Sequence, residues 1–264
     1  MINITESKEA FKKFLDTYED KSDASFKLKV LHTYNVANNA RDIAEKLKLS
    51  KEDIELAELI GLLHDIGRFD ELKITKELNS VTFDHASHGV KMLFEKGMIR
   101  DFIEDNQYDE IIKIAIDNHS RLTIEDGLNE RTLLHSKIIR DADKLDNYRV
   151  KKDESIEVIF PKRVKSIEDM ENATLSDKVF ETIQNKQCVD IHDRVTLLDY
   201  WVCILAFTFD LNFDITYKKI KDNNYIDSLI DRFYYKDKIT RIKMETIRSI
   251  INKFVNEKLG EYHQ

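Results

Sequence analysis

The 264-residue chain is poor in the residues that bend a backbone. It has 6 Gly and 1 Pro, where average usage at this length gives roughly 18 and 13. Sandwiches and barrels lean on glycine for φ > 0 turns and on proline for rigid corners. The scarcity argues against an all-β fold and excludes collagen-like and Pro-rich disordered chains. Cysteine is scarce too: Cys188 and Cys203 have no metal-type spacing and read as two reduced thiols of a cytoplasmic protein. The start, MINITESKEAFKKF, lacks the apolar stretch of a signal peptide. The most apolar segment, Val195 to Phe213, is interrupted by Asp199, Asp210 and Asn212, so it reads as a buried core helix and not a membrane span.

A basic field is missing as well. The net charge is −8, with 42 Lys+Arg and 50 Asp+Glu interspersed along the chain. General nucleic-acid binding and attachment to an anionic membrane both need such a field. A local basic pocket for a phosphorylated small molecule is compatible with this balance, and a homodimer is allowed.

What remains suits an all-α protein. Between Phe26 and Leu47, the positions Leu28, Leu31, Val36, Ala40, Ile43, Ala44 and Leu47 follow a 3.6-residue period. Ser50 followed by Asp53 signals a helix start. That helix carries Ile54, Leu56, Leu59, Ile60 and Leu63, and Gly67 suits its C-terminus. Asp84 can cap a helix running through Val90, Leu93 and Phe94 to Gly97. Further helices are expected at 107–119, 131–149, 174–186, 194–212, 224–235 and 239–258. The segment 150–173, with Pro161, reads as irregular. The expectation is a single helical domain over 1–264, with a motif-bearing core at 24–150 and a helical extension at 151–264 that completes the pocket.

The histidines carry the chemistry. His64-Asp65 ends a strongly apolar helix, where two buried polar side chains are costly unless something satisfies them. His32 interrupts another apolar helix face, and Asp141 and Asp143 follow Ile138 and Ile139 in IIRDADKLDNY. Two imidazoles and two carboxylates make a mixed N/O donor set. It suits six-coordinate Mn²⁺, Fe²⁺, Co²⁺, Ni²⁺ or Mg²⁺ better than the thiolate-rich sites of structural zinc.

Residues 26–150 resemble the HD-domain superfamily of metal-dependent phosphohydrolases, whose pattern is a His, a His-Asp pair and a distant Asp. The match lies in His32, His64-Asp65 and Asp143, within HTYNVANNARDIA, LIGLLHDIGRFD and DADKLDNY. The resemblance implies an HD-like helical bundle and selects Asp143 over Asp141 as the closing ligand. Asp141 then caps the helix or orients a ligand imidazole. FDHASHGVKMLF resembles the segment of HD subfamilies with extra ligands, so His85 and His119 are implied to hold a second ion bridged by Asp65. His88, one turn from His85, is the alternative. The chain departs from the HD-GYP cyclic-di-GMP phosphodiesterases, having Asn118-His119 in place of a His-His pair and no GYP motif. It also lacks the Glu-Asp typical of guanosine-tetraphosphate hydrolases.

One or two divalent ions would activate water for attack on a phosphomonoester, nucleotide or cyclic dinucleotide. Asp65 and Arg68 are the catalytic candidates, because an HDxGR/K arrangement recurs in the resembled family. Arg68, Lys144 and Arg121 are the candidates for binding phosphate, and Asp70 is considered as a general acid. A di-iron oxygenase and a non-catalytic regulatory module that binds metal or nucleotide are the rival readings. His135 is expected to be structural or exposed, and His192 and His263 to lie on the surface.

Overall fold

The computed structural model describes residues 2–19, 21–75 and 83–261; His263 lies outside them. The fold is all-α, with no strand among the described residues. The chain divides into two compact units, Met1–Asp146 and Asn147–Gln264.

The first unit begins with helix α1 (Ile4–Asp16), capped by the Asn3 side chain, and α2 (Ala24–Lys46), capped by Asp23. Helix α3 (Lys51–Leu63) starts where Ser50 and Asp53 announce it, with the Ser50 hydroxyl accepting from the Asp53 N–H. Its end differs from the expectation based on Gly67. The helix stops at Leu63, His64 and Asp65 make a two-residue turn, and α4 (Ile66–Thr75) begins at once. Gly67 is therefore inside a helix, and its value is the missing side chain. A Cβ there would lie 2.2 Å from the His85 carbonyl oxygen and 2.8 Å from the Gly89 nitrogen. That close approach seats α4 on α5 (His85–Val90), which is capped by Asp84 and widens into a π-helical turn over Lys91–Glu95. Gly61 does the same for α2 and α3, where a Cβ would meet the Ala37 Cα at 2.7 Å.

Short α6 (Ile99–Phe102) is followed by α7 (Asp109–Asn118) and the long α8 (Glu130–Asp153), within which the two units meet in sequence. An aromatic cluster ties α1, α2 and α4 together: Phe11, Phe14, Tyr18 and Phe26 all have ring centroids within 6 Å of Phe69. Asp53 joins the start of α3 to the start of α8 by accepting from Arg131 Nε (2.7 Å) and pairing with His135 Nε2 (3.0 Å). His135 is thus buried and structural.

The second unit holds α9 (Ile156–Ile159), α10 (Ile167–Asn172), α11 (Asp177–Gln184), α12 (Leu197–Ala206), α13 (Asp214–Asp222), α14 (Tyr225–Ile230) and α15 (Lys238–Lys258). The segment expected to be irregular contains two of these short helices. Asp199 organises the entry to α12: it closes a capping box with Thr196 and also accepts from the Ser176 N–H at 3.1 Å, at the start of α11. Val195 is exposed, but α12 itself forms the core, with Trp201 fully buried and its indole N–H donated to the Leu229 carbonyl at 3.1 Å. Among the described residues no helix is long and apolar enough to cross a membrane.

Candidate metal centre

Helix ends and helix interiors supply the donors. His32 comes from the middle of α2, His64 and Asp65 from the turn after α3, His85 from the first residue of α5, His119 from the end of α7 and Asp143 from the interior of α8. All are buried except Asp143, which is partly exposed.

Asp65 is the hinge of the arrangement. Its Oδ2 faces His32 Nε2 at 3.5 Å and His64 Nε2 at 3.3 Å, and these two imidazoles face Asp143 Oδ1 at 3.1 and 3.7 Å. Its Oδ1 faces His85 Nε2 and His119 Nε2, each at 3.4 Å, and those two nitrogens lie 3.2 Å apart. Ligand bonds of about 2.0–2.2 Å put neighbouring donors roughly 3.0–3.6 Å apart. The four-donor set and the three-donor set both lie close to that spacing.

The backbone and one carboxylate fix the tautomers. His64 Nδ1 pairs with the Gly61 carbonyl at 2.8 Å, His119 Nδ1 with that of Ile116 at 2.6 Å, and His32 Nδ1 with Asp146 Oδ2 at 2.7 Å. In each ring the Nδ1 proton is donated outward and Nε2 points into the cluster, where a bound ion would displace any proton it carries. His64 Nε2 and Asp65 Oδ1 are buried and find no hydrogen-bond partner among the described residues. Such atoms carry a desolvation cost that a cation would offset. The residues present fit a divalent ion.

The electrostatics match. Burial and Lys29 oppose a charge on His32, yet hydrogen bonds to Asp143, Asp146 and Asp65 outweigh them and push its pKa up to about 10. Burial would raise the Asp65 and Asp143 carboxyls, but cations overcome it, Lys29 and His64 at Asp65 and the imidazoles of His32 and His64 at Asp143. Both stay well below the usual range. His85 goes the other way: burial and the nearby Arg68 hold its pKa well below the ordinary imidazole value.

The cations distribute unevenly. Arg68 lies beside the cluster, its Nε 3.6 Å from Asp65 Oδ1 and its NH1 bound to buried Glu71 at 2.6 Å. Lys144 is buried next to Asp143 on α8. Arg121 points elsewhere, paired with Asp117 and Glu125 on a half-exposed side chain. His88 is outside the donor sets and pairs with Asp70 at 2.9 Å. Asp70 also accepts from the Tyr18 hydroxyl at 2.7 Å. Burial would raise its carboxyl, but His88 and Tyr18 hold it below the usual range, which does not suit a general acid.

Three further residues serve the cluster and escaped the sequence reading. Lys29 donates to Asp65 Oδ2 at 2.5 Å, and Asp146 orients His32. Arg140 donates to the carbonyls of Asn118 (2.8 Å), Arg121 (2.6 Å) and Leu122 (3.1 Å), clamping the chain around His119. Each lies three residues from a donor on the same helix, Lys29 before His32, Arg140 before Asp143 and Asp146 after it, and so shares its face. Asp141, the sequence candidate for orienting an imidazole, is buried, but Asp146 is the residue on His32.

The family model of the HD domain matches residues 30–148, which contain all six donors. The chain carries an HD domain. The superfamily is one of metal-dependent phosphohydrolases, and the clustered His and Asp side chains point to a divalent metal. No curated protein and no solved structure matches the chain.

Proposed function

We propose that this HD-domain protein is a divalent-metal-dependent hydrolase of a phosphomonoester, nucleotide or cyclic dinucleotide. The observation that supports it most is the sharing of Asp65 between two donor sets, buried but for Asp143. His32, His64, Asp65 Oδ2 and Asp143 would hold one ion, and Asp65 Oδ1, His85 and His119 a second. When bound there, divalent ions would supply Lewis acidity toward a phosphoryl oxygen and would lower the pKa of water from 15.7 to about 7.

The rest of the chemistry belongs to the chain. Asp146 and the carbonyls of Gly61 and Ile116 keep three imidazoles in the tautomer that presents Nε2. Lys29 and Arg68 flank Asp65 and are positioned to meet the charge of a phosphate. The planar fork of Arg68 suits a phosphate oxygen pair. Lys144 is the next candidate for substrate charge, and Arg121, already paired twice, is the weakest.

The test is metal content followed by a phosphoester panel with added Mn²⁺, Mg²⁺, Co²⁺ or Ni²⁺. Phosphate release that depends on the ion supports the reading. Iron-dependent O₂ consumption without phosphate release would favour a di-iron oxygenase. Nucleotide-induced stabilisation without turnover under any ion would favour a regulatory module.

A further inference from the structure

Away from the histidines, within the second unit, four cations gather around three aromatic rings. Lys151, near the end of α8, is 7 % exposed, and its ammonium lies 3.8 Å from the Phe160 ring centroid and 5.4 Å from that of Trp201. Arg232 lies over the same indole at 5.4 Å. Arg163 and Arg194 lie over Tyr200 at 4.3 and 4.8 Å.

None of these cations has a carboxylate within ion-pair distance among the described residues. Arg232 donates to the carbonyls of Lys151 and Glu154, and Asp153 and Glu157 pull on it only at longer range. Arg194 donates to the Ile191 carbonyl at 3.3 Å and to Cys203 Sγ at 3.7 Å. Among the described residues Lys151 Nζ has no hydrogen-bond partner and faces the two rings. Elsewhere in this acidic chain, cations routinely find acids: Arg248 pairs with Asp227, Asp231 and Glu245, and Lys243 with Asp177.

A buried ammonium without an anion is costly, and aromatic faces offset only part of that cost. Guanidinium groups left with donors to spare are suited to phosphate oxygens. We infer that Lys151, Arg163, Arg194 and Arg232, arranged around Phe160, Tyr200 and Trp201, form a second anion site for a small polyphosphate, either pyrophosphate or the phosphate chain of a nucleotide. Four cations spread over three aromatic rings exceed what a single phosphate neutralises. The site uses none of the metal-cluster donors and stands whether or not those hold metal.

Burial, opposed by Cys203 and reinforced by Arg194 and Arg232, lowers the Lys151 amine to about 7. A bound anion restores its charge, so binding takes up a proton near neutral pH.

The test is calorimetric titration of the full chain with pyrophosphate in EDTA, which removes divalent ions from the histidine cluster. Wild type and Asp65→Asn are expected to bind one pyrophosphate with equal affinity, while Lys151→Met and the double variant Arg163→Gln/Arg194→Gln bind at least tenfold more weakly. Relieved of a buried charge, Lys151→Met is expected to melt at or above wild type without ligand. If it does not fold, the arginine double variant, on more exposed side chains, decides the question. ATP binding tighter than pyrophosphate assigns the site to a nucleotide; equal affinity assigns it to the phosphate chain alone. No pyrophosphate binding by wild type, unchanged affinity in the arginine variant, or binding lost only in Asp65→Asn overturns the inference.

Discussion

Raising the pH from 6.5 to 8.5 is expected to tighten the binding of the first divalent ion about a hundredfold. In the metal-free protein His32 is held between Asp146 at 2.7 Å, Asp143 at 3.1 Å and Asp65 at 3.5 Å. Burial and Lys29 resist its charging, but the three carboxylates win and its pKa stands at about 10. An ion that takes Nε2 must first displace that proton. At pH 7 the displacement spans about three pH units, which at 1.36 kcal/mol each is about 4 kcal/mol. Below the His32 pKa, one proton released per ion gives a tenfold gain in apparent affinity per pH unit. His64 is also raised, so its own proton makes the slope steeper where it is charged. His85 is held neutral by burial and Arg68 and contributes no proton, which makes the second ion less sensitive to pH. The same shift fixes the sign for the fold. A raised His pKa contributes stability that is fully present below about 6.5 and lost as pH rises through about 10. Metal-free protein should therefore melt lower toward pH 10. The assay is competition against a chelator of known pH dependence, with calorimetry in buffers of different ionisation heat to count protons. A flat affinity between pH 6.5 and 8.5 with no proton released would refute the reasoning.

Four other outcomes follow from the geometry. Asp146→Asn is expected to weaken metal affinity or activity 10- to 100-fold, as loss of a carboxylate that orients a ligand imidazole typically does, and to make the pH slope shallower. Gly67→Ala forces a Cβ to within 2.2 Å of the His85 carbonyl; overpacking of this kind costs about 1–3 kcal/mol, and metal counting should find the ion at His85 and His119 weakened more than the one at His32 and His64. Phe69→Ala removes the ring shared by Phe11, Phe14, Tyr18 and Phe26 and should destabilise by about 3–5 kcal/mol in denaturant titration. Tyr148→Phe strips a buried hydroxyl from the Leu205 carbonyl and Thr208 and should cost about 1–3 kcal/mol.

Much of this was legible from sequence because it depends on local rules. The 3.6 period announces α2, Ser50 announces α3 and Asp84 announces α5. The family resemblance points to His32, His64-Asp65 and Asp143 and to His85 and His119, and the structure brings these residues together in two groups that share Asp65. Gly67 misled because glycine has two uses. A helix C-terminus needs its conformational freedom, whereas α4 needs the space that its missing Cβ leaves for His85 and Gly89. Helices α1, α4, α6, α9, α10 and α13 are outside the sequence expectation, although Asn3 caps α1 and Phe11 and Leu15 share its buried face. Lys29, Asp146 and Arg140 were within reach, since each sits one helical turn from a donor already found. The ion pairs that occupy Arg68, Arg121 and His88 depend on tertiary contacts that spacing along the chain does not encode.

The central claim is that Asp65, facing two donor sets, makes this cluster a metal-dependent phosphoester hydrolase. Its most direct test is to load wild type and Asp65→Asn with Mn²⁺, count bound ions by mass spectrometry and follow phosphate release from the best substrate of a phosphoester panel. The account predicts up to two ions and turnover for wild type, and for Asp65→Asn fewer ions with release reduced at least a hundredfold. Equal release by the two proteins would contradict it.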